Sequence, residues 1–263
     1  MTRSKIILAG AAAVILVAAV AVKWFFFPSI KDAYFAMNQN SLRQVPAGLV
    51  AVRPTKFSNS PRKGTLWASV KVSGKDVWRM MGRNVSFKEL MAQAYGQPQN
   101  RVMLPVGAPT NNFDFLVTER GDLREVLQTA VRKKPGYTAK METHDEDVLA
   151  LKVRDASLPG LTVSDASTRQ NVHFDKGKLY FTHMRLQEIT GGLEQAVKTP
   201  VVDKTDLTNF YDFSVVWDQQ MQRQMRDDAA ATAAMKKILN GWGIELEPDN
   251  DQVEMLVVKS ASL

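Results

Sequence analysis

The stretch Phe113-Asp114-Phe115 returns later in the chain as Tyr211-Asp212-Phe213. Four other pairs of similar segments surround these two, and all five pairs occur in the same order in both halves of the sequence. The other pairs are 85–90 with 184–189, 123–128 with 235–240, 136–137 with 243–244, and 148–153 with 253–258. Ordered self-similarity of this kind indicates an internal duplication.

Each copy is expected to contain a strand or hairpin, a helix, a strand, a second helix and a closing hairpin. Ser86-x-x-Glu89 is a helix-capping pattern, and Asp122-x-x-Glu125 opens the second helix. The closing hairpins are placed at 137–153 and 244–259 because Asp145-Glu146-Asp147 and Pro248-Asp249-Asn250-Asp251 are typical of turns.

The predicted fold class is therefore α+β, with two repeated units that each pack two helices on a small mixed sheet. These units follow an N-terminal transmembrane helix. The predicted boundaries are 1–27 for a transmembrane anchor, 28–48 for a connector, 49–160 for the first α/β repeat and 161–263 for the second.

The anchor is predicted from an apolar run long enough for the roughly 20 residues that a spanning helix needs. Its anchoring side chains are Ile6, Leu8, Val14, Leu16, Val22, Trp24, Phe25, Phe26 and Phe27. Arg3 and Lys5 precede the run, so the N-terminus is expected in the cytoplasm, with a single pass through the inner membrane and a periplasmic (extracytoplasmic) bulk. The alternative is a leader peptide cleaved after Ala21.

The composition excludes several kinds of chemistry. The chain has no cysteine, so disulfides, thiolate nucleophiles and cysteine-bound metals are ruled out. The net charge is +7, but its 34 basic residues are scattered among 27 acidic ones, which argues against nucleic acid as a partner. The three histidines lack metal-ligand spacing, and no cofactor or metal is expected.

Asp114 and Asp212 are the best acids available for catalysis, because they occupy matching positions in the two copies. Each lies between two aromatic residues on a strand, and its recurrence favours a structural role as the acceptor of a backbone N–H group. Phe113, Phe115, Tyr211 and Phe213 belong to the same structural set. No catalytic residue is predicted.

The methionine pairs Met80 and Met81, and Met221 and Met225, have two interpretations. Packing in the core or at its margin is preferred. The alternative is an adaptable surface that contacts a partner, since the thioether side chain fits irregular apolar shapes.

Several stretches resemble an uncharacterised exported family that is abundant in Acidobacteria and other soil bacteria. They are Val50-Ala51-Val52-Arg53-Pro54, 90–96, Pro200-Val201-Val202-Asp203-Lys204-Thr205, Tyr211-Asp212-Phe213 with Trp217, and 253–258. The resemblance covers about 49–259, and it implies fold and export but no chemistry. Asp206 and Asn209 stand where the family usually has glycine, so the turn before Tyr211 is expected to be altered.

The repeat unit is also similar to the short modules in the N-terminal regions of secretins and TonB receptors, which assemble or dock. The expected function is a membrane-anchored, extracytoplasmic, non-catalytic scaffold or interaction module, such as an accessory subunit of an inner-membrane complex. Its partners would be the membrane and other membrane or periplasmic proteins. A sensory or ligand-binding module is the alternative, and an unrecognised enzyme is third. An apolar pocket favours the sensor, and an exposed apolar patch favours the scaffold.

Overall fold

The computed structural model describes residues 30–225 and 227–261, and it shows a mixed α+β protein. The predicted anchor at 1–27 lies outside the described residues. Two 3-10 turns occupy Asp32–Phe35 and Gln99–Arg101. The helices are α1 Gln39–Gln44, α2 Phe87–Tyr95, α3 Leu123–Lys133, α4 Leu186–Val197, α5 Gln219–Gln224 and α6 Asp228–Gly241. The strands are β1 Val50–Pro54, β2 Gly64–Val72, β3 Lys75–Val85, β4 Val102–Met103, β5 Phe113–Val117, β6 Tyr137–Val153, β7 Thr162–Val163, β8 Asn171–Asp175, β9 Lys178–Met184, β10 Val201–Asp203, β11 Tyr211–Val216 and β12 Ile244–Ser260.

The chain divides into two compact units. Among the described residues, the first comprises 30–85 together with Asn112–Ala130, and the second comprises Ser86–Asn111, 131–225 and 227–261. This division is based on which residues contact one another. The boundaries 49–160 and 161–263 are based on the repeated segments of the sequence, and they remain a prediction. Within 30–225 and 227–261, no helix is long and apolar enough to cross a membrane.

The first unit is built on an antiparallel sheet of order β1-β5-β3-β2. Ser73 and Gly74 both have positive φ and make the tight turn between β2 and β3, as a two-residue hairpin requires. The segment interpreted as a connector supplies Phe35 and Leu42 to the core of this unit. Arg79 is buried beneath α1 and donates to the carbonyls of Leu42, Arg43 and Val45, while burial lowers the pKa of its guanidinium. It thereby caps carbonyl groups that the helix leaves unpaired.

The second unit contains a sheet of order β10-β6-β12-β4. Its centre is a ladder of two 17-residue strands, β6 and β12, which pair antiparallel along their whole length. The short strand β10 runs parallel to β6, and β4 runs parallel to β12.

The two predicted closing hairpins are wrong. Asp145-Glu146-Asp147 and Pro248–Asp251 lie in the middle of continuous strands, and Glu146 faces Asp251 across the ladder. Like charges in that position are destabilising. Lys204 lies 2.9 Å from the carboxylate of Asp251 and 3.2 Å from that of Asp249, so a cation from another segment offsets the repulsion. The acidic residues therefore mark a solvated strand surface instead of a turn.

A second sheet in the same unit has the order β7-β11-β9-β8, and helices α4 and α6 contribute with it to one apolar core. Leu186 and Leu239 are fully buried in this core. The ring of Trp242, just after α6, lies 4.7 Å from that of Phe213 in β11. Packing of the two helices thus depends on aromatic contacts with the middle of the sheet.

The local start signals of the helices are observed as predicted. Ser86 Oγ accepts the Glu89 N–H at 3.1 Å, and Asp122 Oδ1 accepts the Arg124 N–H at 2.8 Å. Helix α4 lacks a serine cap, and the Glu188 carboxylate instead accepts the Arg185 N–H at 2.9 Å. Each of these bonds satisfies one of the amides that a helix start leaves unpaired.

Candidate functional site

Asp114 lies fully buried in β5, at a bulge of the neighbouring strand β3. Its Oδ1 accepts the Thr55 hydroxyl at 2.7 Å and the Asn84 N–H at 3.0 Å, and its Oδ2 accepts the Lys56 N–H at 3.1 Å. The guanidinium of Arg53 lies 3.4 Å away. The carboxylate therefore joins three separate segments of the first unit.

The bulge has an identifiable backbone cause. Asn84 adopts a φ of 52°, in the left-handed region, and its buried N–H turns toward Asp114. A Cβ atom on Gly82 would lie 2.1 Å from the ring of Phe115, so glycine is required for β5 to approach β3 this closely.

Asp212 holds a related but simpler position in β11 of the second unit. Its Oδ1 accepts the N–H of His183, a residue with a φ of 55°, at 2.8 Å. The register between β9 and β11 shifts at this point. The His183 ring stacks on Phe210 with the ring centroids 4.0 Å apart, and its Nδ1 lies 3.2 Å from Ser164 Oγ.

These two environments define what the carboxylates can do. The lone pairs of Asp114 are directed at donors inside the protein, which leaves the carboxylate no access to a substrate. Among the residues that the structure describes, no group of three potential ligands is placed to hold a metal ion. The structural role predicted for Asp114 and Asp212 is consistent with these bonds and remains a prediction that mutation can test.

The methionines do not provide the exposed contact surface that was the alternative prediction. Met80 is 0% and Met81 1% exposed, although neighbouring strand residues point to opposite faces, because both faces of β3 are covered there. Met221 is also buried, and Met225 packs against the core of the second unit. A partner contact through these residues is therefore wrong for Met80, Met81 and Met221, and Met225 is only partly accessible.

An exposed apolar edge lies instead at β8, which the sequence interpretation did not single out. All five of its residues are exposed, and β8 is the outermost strand of its sheet. Val172 is 48% and Phe174 59% exposed. They stand opposite Phe181 and Leu179 of β9, so these four side chains share one face of the sheet.

That face leads into a cavity of about 310 Å³ between the sheet and helices α4 and α6. Leu179 and Phe181 form part of its wall, and Glu188 is its one charged lining residue. The other lining side chains are apolar, and they include Phe213, Val215, Trp217, Ile238 and Trp242. The two features that the sequence analysis set as alternatives, an exposed apolar patch and an apolar pocket, therefore occur together.

The segments that carry β8 and the cavity lie within a part of the chain that a protein-family model matches. A family described as "Protein of unknown function (DUF3738)" matches residues 88–261 of the chain. The chain belongs to this family. No curated protein and no solved structure matches it. Membership of an uncharacterised family, as the sequence resemblance implied, is confirmed, and the family description assigns no activity.

A buried ion pair between Arg101 and Glu194, which also lies within 88–261, was not predicted from the sequence. Glu194 in α4 is 2% exposed, and its two carboxylate oxygens share the single Nε–H of Arg101, each 3.0 Å from Nε. The carboxylate also accepts the Val201 N–H at 3.0 Å and a hydrogen bond from Arg101 Nη2. A single glutamate in a helix is normally expected to face solvent. Nothing in the neighbouring sequence indicates that Glu194 is buried.

Another charge cluster lies on the exposed end of the long ladder. Lys259 and Lys140 reach the Glu142 carboxylate at 2.7 Å and 2.9 Å. The hydrogen bond from Lys259, followed by that from Lys140, lowers the pKa of Glu142 from its ordinary 4.5 to about 2. Lys204, Asp249 and Asp251 form a second charge cluster on the ladder. There the hydrogen bond to Asp251, followed by that to Asp249, raises the pKa of Lys204.

The lowered pKa of Glu142 predicts a contribution to stability that depends on pH. A carboxyl group with a depressed folded-state pKa stabilises the fold above its unfolded pKa, and this contribution is lost as the pH falls through the folded value. We expect Glu142→Gln to reduce the loss of thermal stability between about pH 4.5 and 2. Glu254→Gln, at an exposed position of β12, is the control and removes a carboxylate that the Lys140 and Lys259 ion pairs do not involve. Identical profiles for wild type and Glu142→Gln would contradict the assignment.

Proposed function

We propose that the chain is a non-catalytic interaction module, held at the extracytoplasmic face of the inner membrane by its N-terminal segment. The partner is an extended segment of another membrane or periplasmic protein, which adds a strand to the outer edge of β8. The observation that carries this proposal is that all five residues of β8 are exposed, with Val172 and Phe174 on one face of the strand. Addition of a strand uses main-chain hydrogen bonds for affinity and alternate side chains for specificity.

Within the described residues, β8 lacks the protection that two other sheet edges, β7 and β2, have. Proteins usually shorten, charge or cover an edge strand to prevent pairing with other chains. On the opposite edge of the same sheet, β7 has only two residues. On the outer edge of the first unit, the β2 carbonyls of Trp67 and Ser69 accept side-chain hydrogen bonds from Gln39 and Arg43 of α1.

Nothing comparable covers β8 in the described part of the chain. No described side chain or strand bonds to its outward backbone groups, and its central residues are Val172, His173 and Phe174. His173 lies on the other face, where its ring stacks on Tyr180 with the centroids 5.0 Å apart. The edge therefore offers an apolar row on one face and an aromatic stack on the other.

The proposal predicts that lysine at β8 prevents partner binding without unfolding the protein. Phe174→Lys and Val172→Lys should each reduce co-purification of the partner from gently solubilised membranes by about tenfold or more, since a charge must then be desolvated at the contact. Their melting temperatures should stay close to that of wild type because both side chains are already half exposed.

Val163 provides the matched control for this experiment. It is an exposed valine, 62% accessible, on the opposite edge of the same sheet. Val163→Lys should retain the partner. Loss of the partner from all three variants alike, or retention by all three, would contradict docking at β8.

The anchor makes a separate prediction. The full chain should remain in the membrane pellet after a carbonate wash, and N-terminal sequencing should begin at Met1 or Thr2, because the apolar run of 6–22 is followed by Trp24 and three phenylalanines. A mature N-terminus at Val22 would show that the segment is a cleaved leader.

We also propose that the two halves are copies of one unit. The sheet orders β1-β5-β3-β2 and β7-β11-β9-β8 correspond strand for strand. In both, an aspartate accepts the N–H of a residue with positive φ at a register shift. The parallel pairing of β10 with β6 and of β4 with β12 crosses between the halves, as expected if two copies fused and exchanged their closing strands. A partner site on one copy alone would then reflect divergence at β8.

A further inference from the structure

We propose that the cavity between the β7-β11-β9-β8 sheet and helices α4 and α6 binds the apolar chain of an amphiphile, with the anionic head of that molecule at Lys237. This site lies apart from the outer edge of β8 and goes beyond the proposed docking function. The ligand class follows from three observations: a rim kept open by Gly192, an apolar lining, and a cation without an ion-pair partner in the described ranges that lines an adjoining cavity.

Gly192 leaves the cavity open on the side of α4. It lies in the middle of the helix, where glycine is less favourable than alanine by up to about 1 kcal/mol. Close packing does not explain this glycine, because a Cβ atom built on it would meet no atom within 4 Å. Gly192 is exposed and lines the rim of the cavity, so a larger side chain at this position would stand at the cavity mouth.

The lining of the cavity favours an uncharged hydrocarbon chain, because its side chains are apolar apart from Glu188. Its volume of about 310 Å³ is at the lower end of ligand pockets, which hold roughly 300–1,000 Å³. The one carboxylate in the wall, that of Glu188, already accepts the Arg185 N–H at 2.9 Å and the Gln170 amide at 3.3 Å. An apolar chain that displaces water from such a lining removes apolar surface from solvent, which is favourable.

The adjoining cavity supplies a place for a polar head. Its volume is about 590 Å³, and it shares Val215, Ile238 and Trp242 with the apolar one. Lys237 is exposed at its rim and makes no ion pair with any residue in the described ranges. The nearby Asp218 carboxylate caps α5 by accepting the Met221 N–H at 2.8 Å. A free ammonium group beside an apolar slot favours an anionic head over a cationic one.

The test uses 12-bromododecanoate, whose bromine quenches tryptophan fluorescence on contact, with the full chain in a neutral detergent. Trp217 and Trp242 line the cavity, so the wild-type protein should show saturable quenching. Gly192→Leu places a larger side chain at the mouth of the cavity and should weaken this binding by about tenfold or more. Gly191→Leu is the matched control, because Gly191 is the preceding helical glycine, also has open space around it, and does not line the cavity.

Both leucine variants replace a helical glycine, so both should melt at or above the wild-type temperature. If Gly192→Leu melts lower, Ala196→Phe blocks the same cavity and Gln195→Phe is its control, since Ala196 lines the wall and Gln195 does not. Equal quenching of a blocked variant and its control would overturn the apolar site.

The head is tested separately. Lys237→Glu should weaken binding of the bromo acid about tenfold, whereas Lys236→Glu on the same helix should not. The wild-type protein should prefer the acid to 12-bromododecyltrimethylammonium. A preference for the ammonium compound, or equal effects of the two lysine substitutions, would overturn the assignment of the anionic head. Loss of docking at β8 with retained quenching would contradict the proposed function alone.

Discussion

Asp114→Asn is expected to lower the free energy of unfolding by about 3 kcal/mol, because a buried carboxylate that holds three donors and an arginine becomes a neutral amide. Asparagine keeps one acceptor oxygen, but its NH2 group must then face a donor, and Arg53 loses one of its two carboxylate partners while it keeps Asp32. Chemical unfolding of the full chain measures this loss. Asp76→Asn, at an exposed position of β3 in the same unit, is the control and should change stability little.

The corresponding change in the second half should cost less. Asp212 accepts one N–H, from His183, and is only partly buried, so Asp212→Asn should cost about 1 kcal/mol. The two losses should be roughly additive because the residues lie in different sheets. If the Asp114 variant unfolds like wild type yet abolishes partner or ligand binding, the carboxylate is functional and the structural interpretation is wrong.

Glu194→Leu should cause a loss of similar or greater size, about 3–5 kcal/mol, because it leaves Arg101 without its partner in a largely buried site. The Val201 N–H also loses its acceptor. The double variant Arg101→Met with Glu194→Leu should recover most of the stability, since an apolar pair of similar volume often replaces a buried ion pair at no net cost.

A double-mutant cycle distinguishes this pair from two independent contacts. The structure predicts a strong coupling energy between Arg101 and Glu194, measured by thermal or urea unfolding of the four proteins. Glu188→Leu in the first turn of the same helix is a useful comparison, because Glu188 is more exposed. If the losses in the free energy of unfolding for the Arg101 and Glu194 variants are additive, the interaction between the two side chains does not contribute to stability.

Local signals in the sequence predicted the starts of α2 and α3, whereas the short polar helices α1 and α5 were not predicted. Ser86 and Asp122 begin α2 and α3 because a short polar side chain can reach the next free amides without help from the rest of the fold. The apolar alternation of β5 likewise marked a strand, although all five of its residues are buried, including Asp114.

Features that depend on distant partners were not predictable. Asp145 and Asp251 read as turn residues because their compensating contacts, the opposite strand and Lys204, come from far along the chain. For the same reason, Glu194 gave no sign of burial beside Arg101. The exposed edge at β8 depends on the strand order of the sheet, which no local pattern specifies.

The most direct test of docking at β8 is site-specific photo-crosslinking in intact membranes. A benzophenone amino acid at position 174 replaces one exposed aromatic side chain with another, and the same group at position 163 reports on the opposite edge. We predict one discrete adduct from position 174 and none from position 163, and mass spectrometry of the adduct would identify an extended segment of the partner. The same adducts from both positions, or no adduct from position 174, would contradict the proposed function.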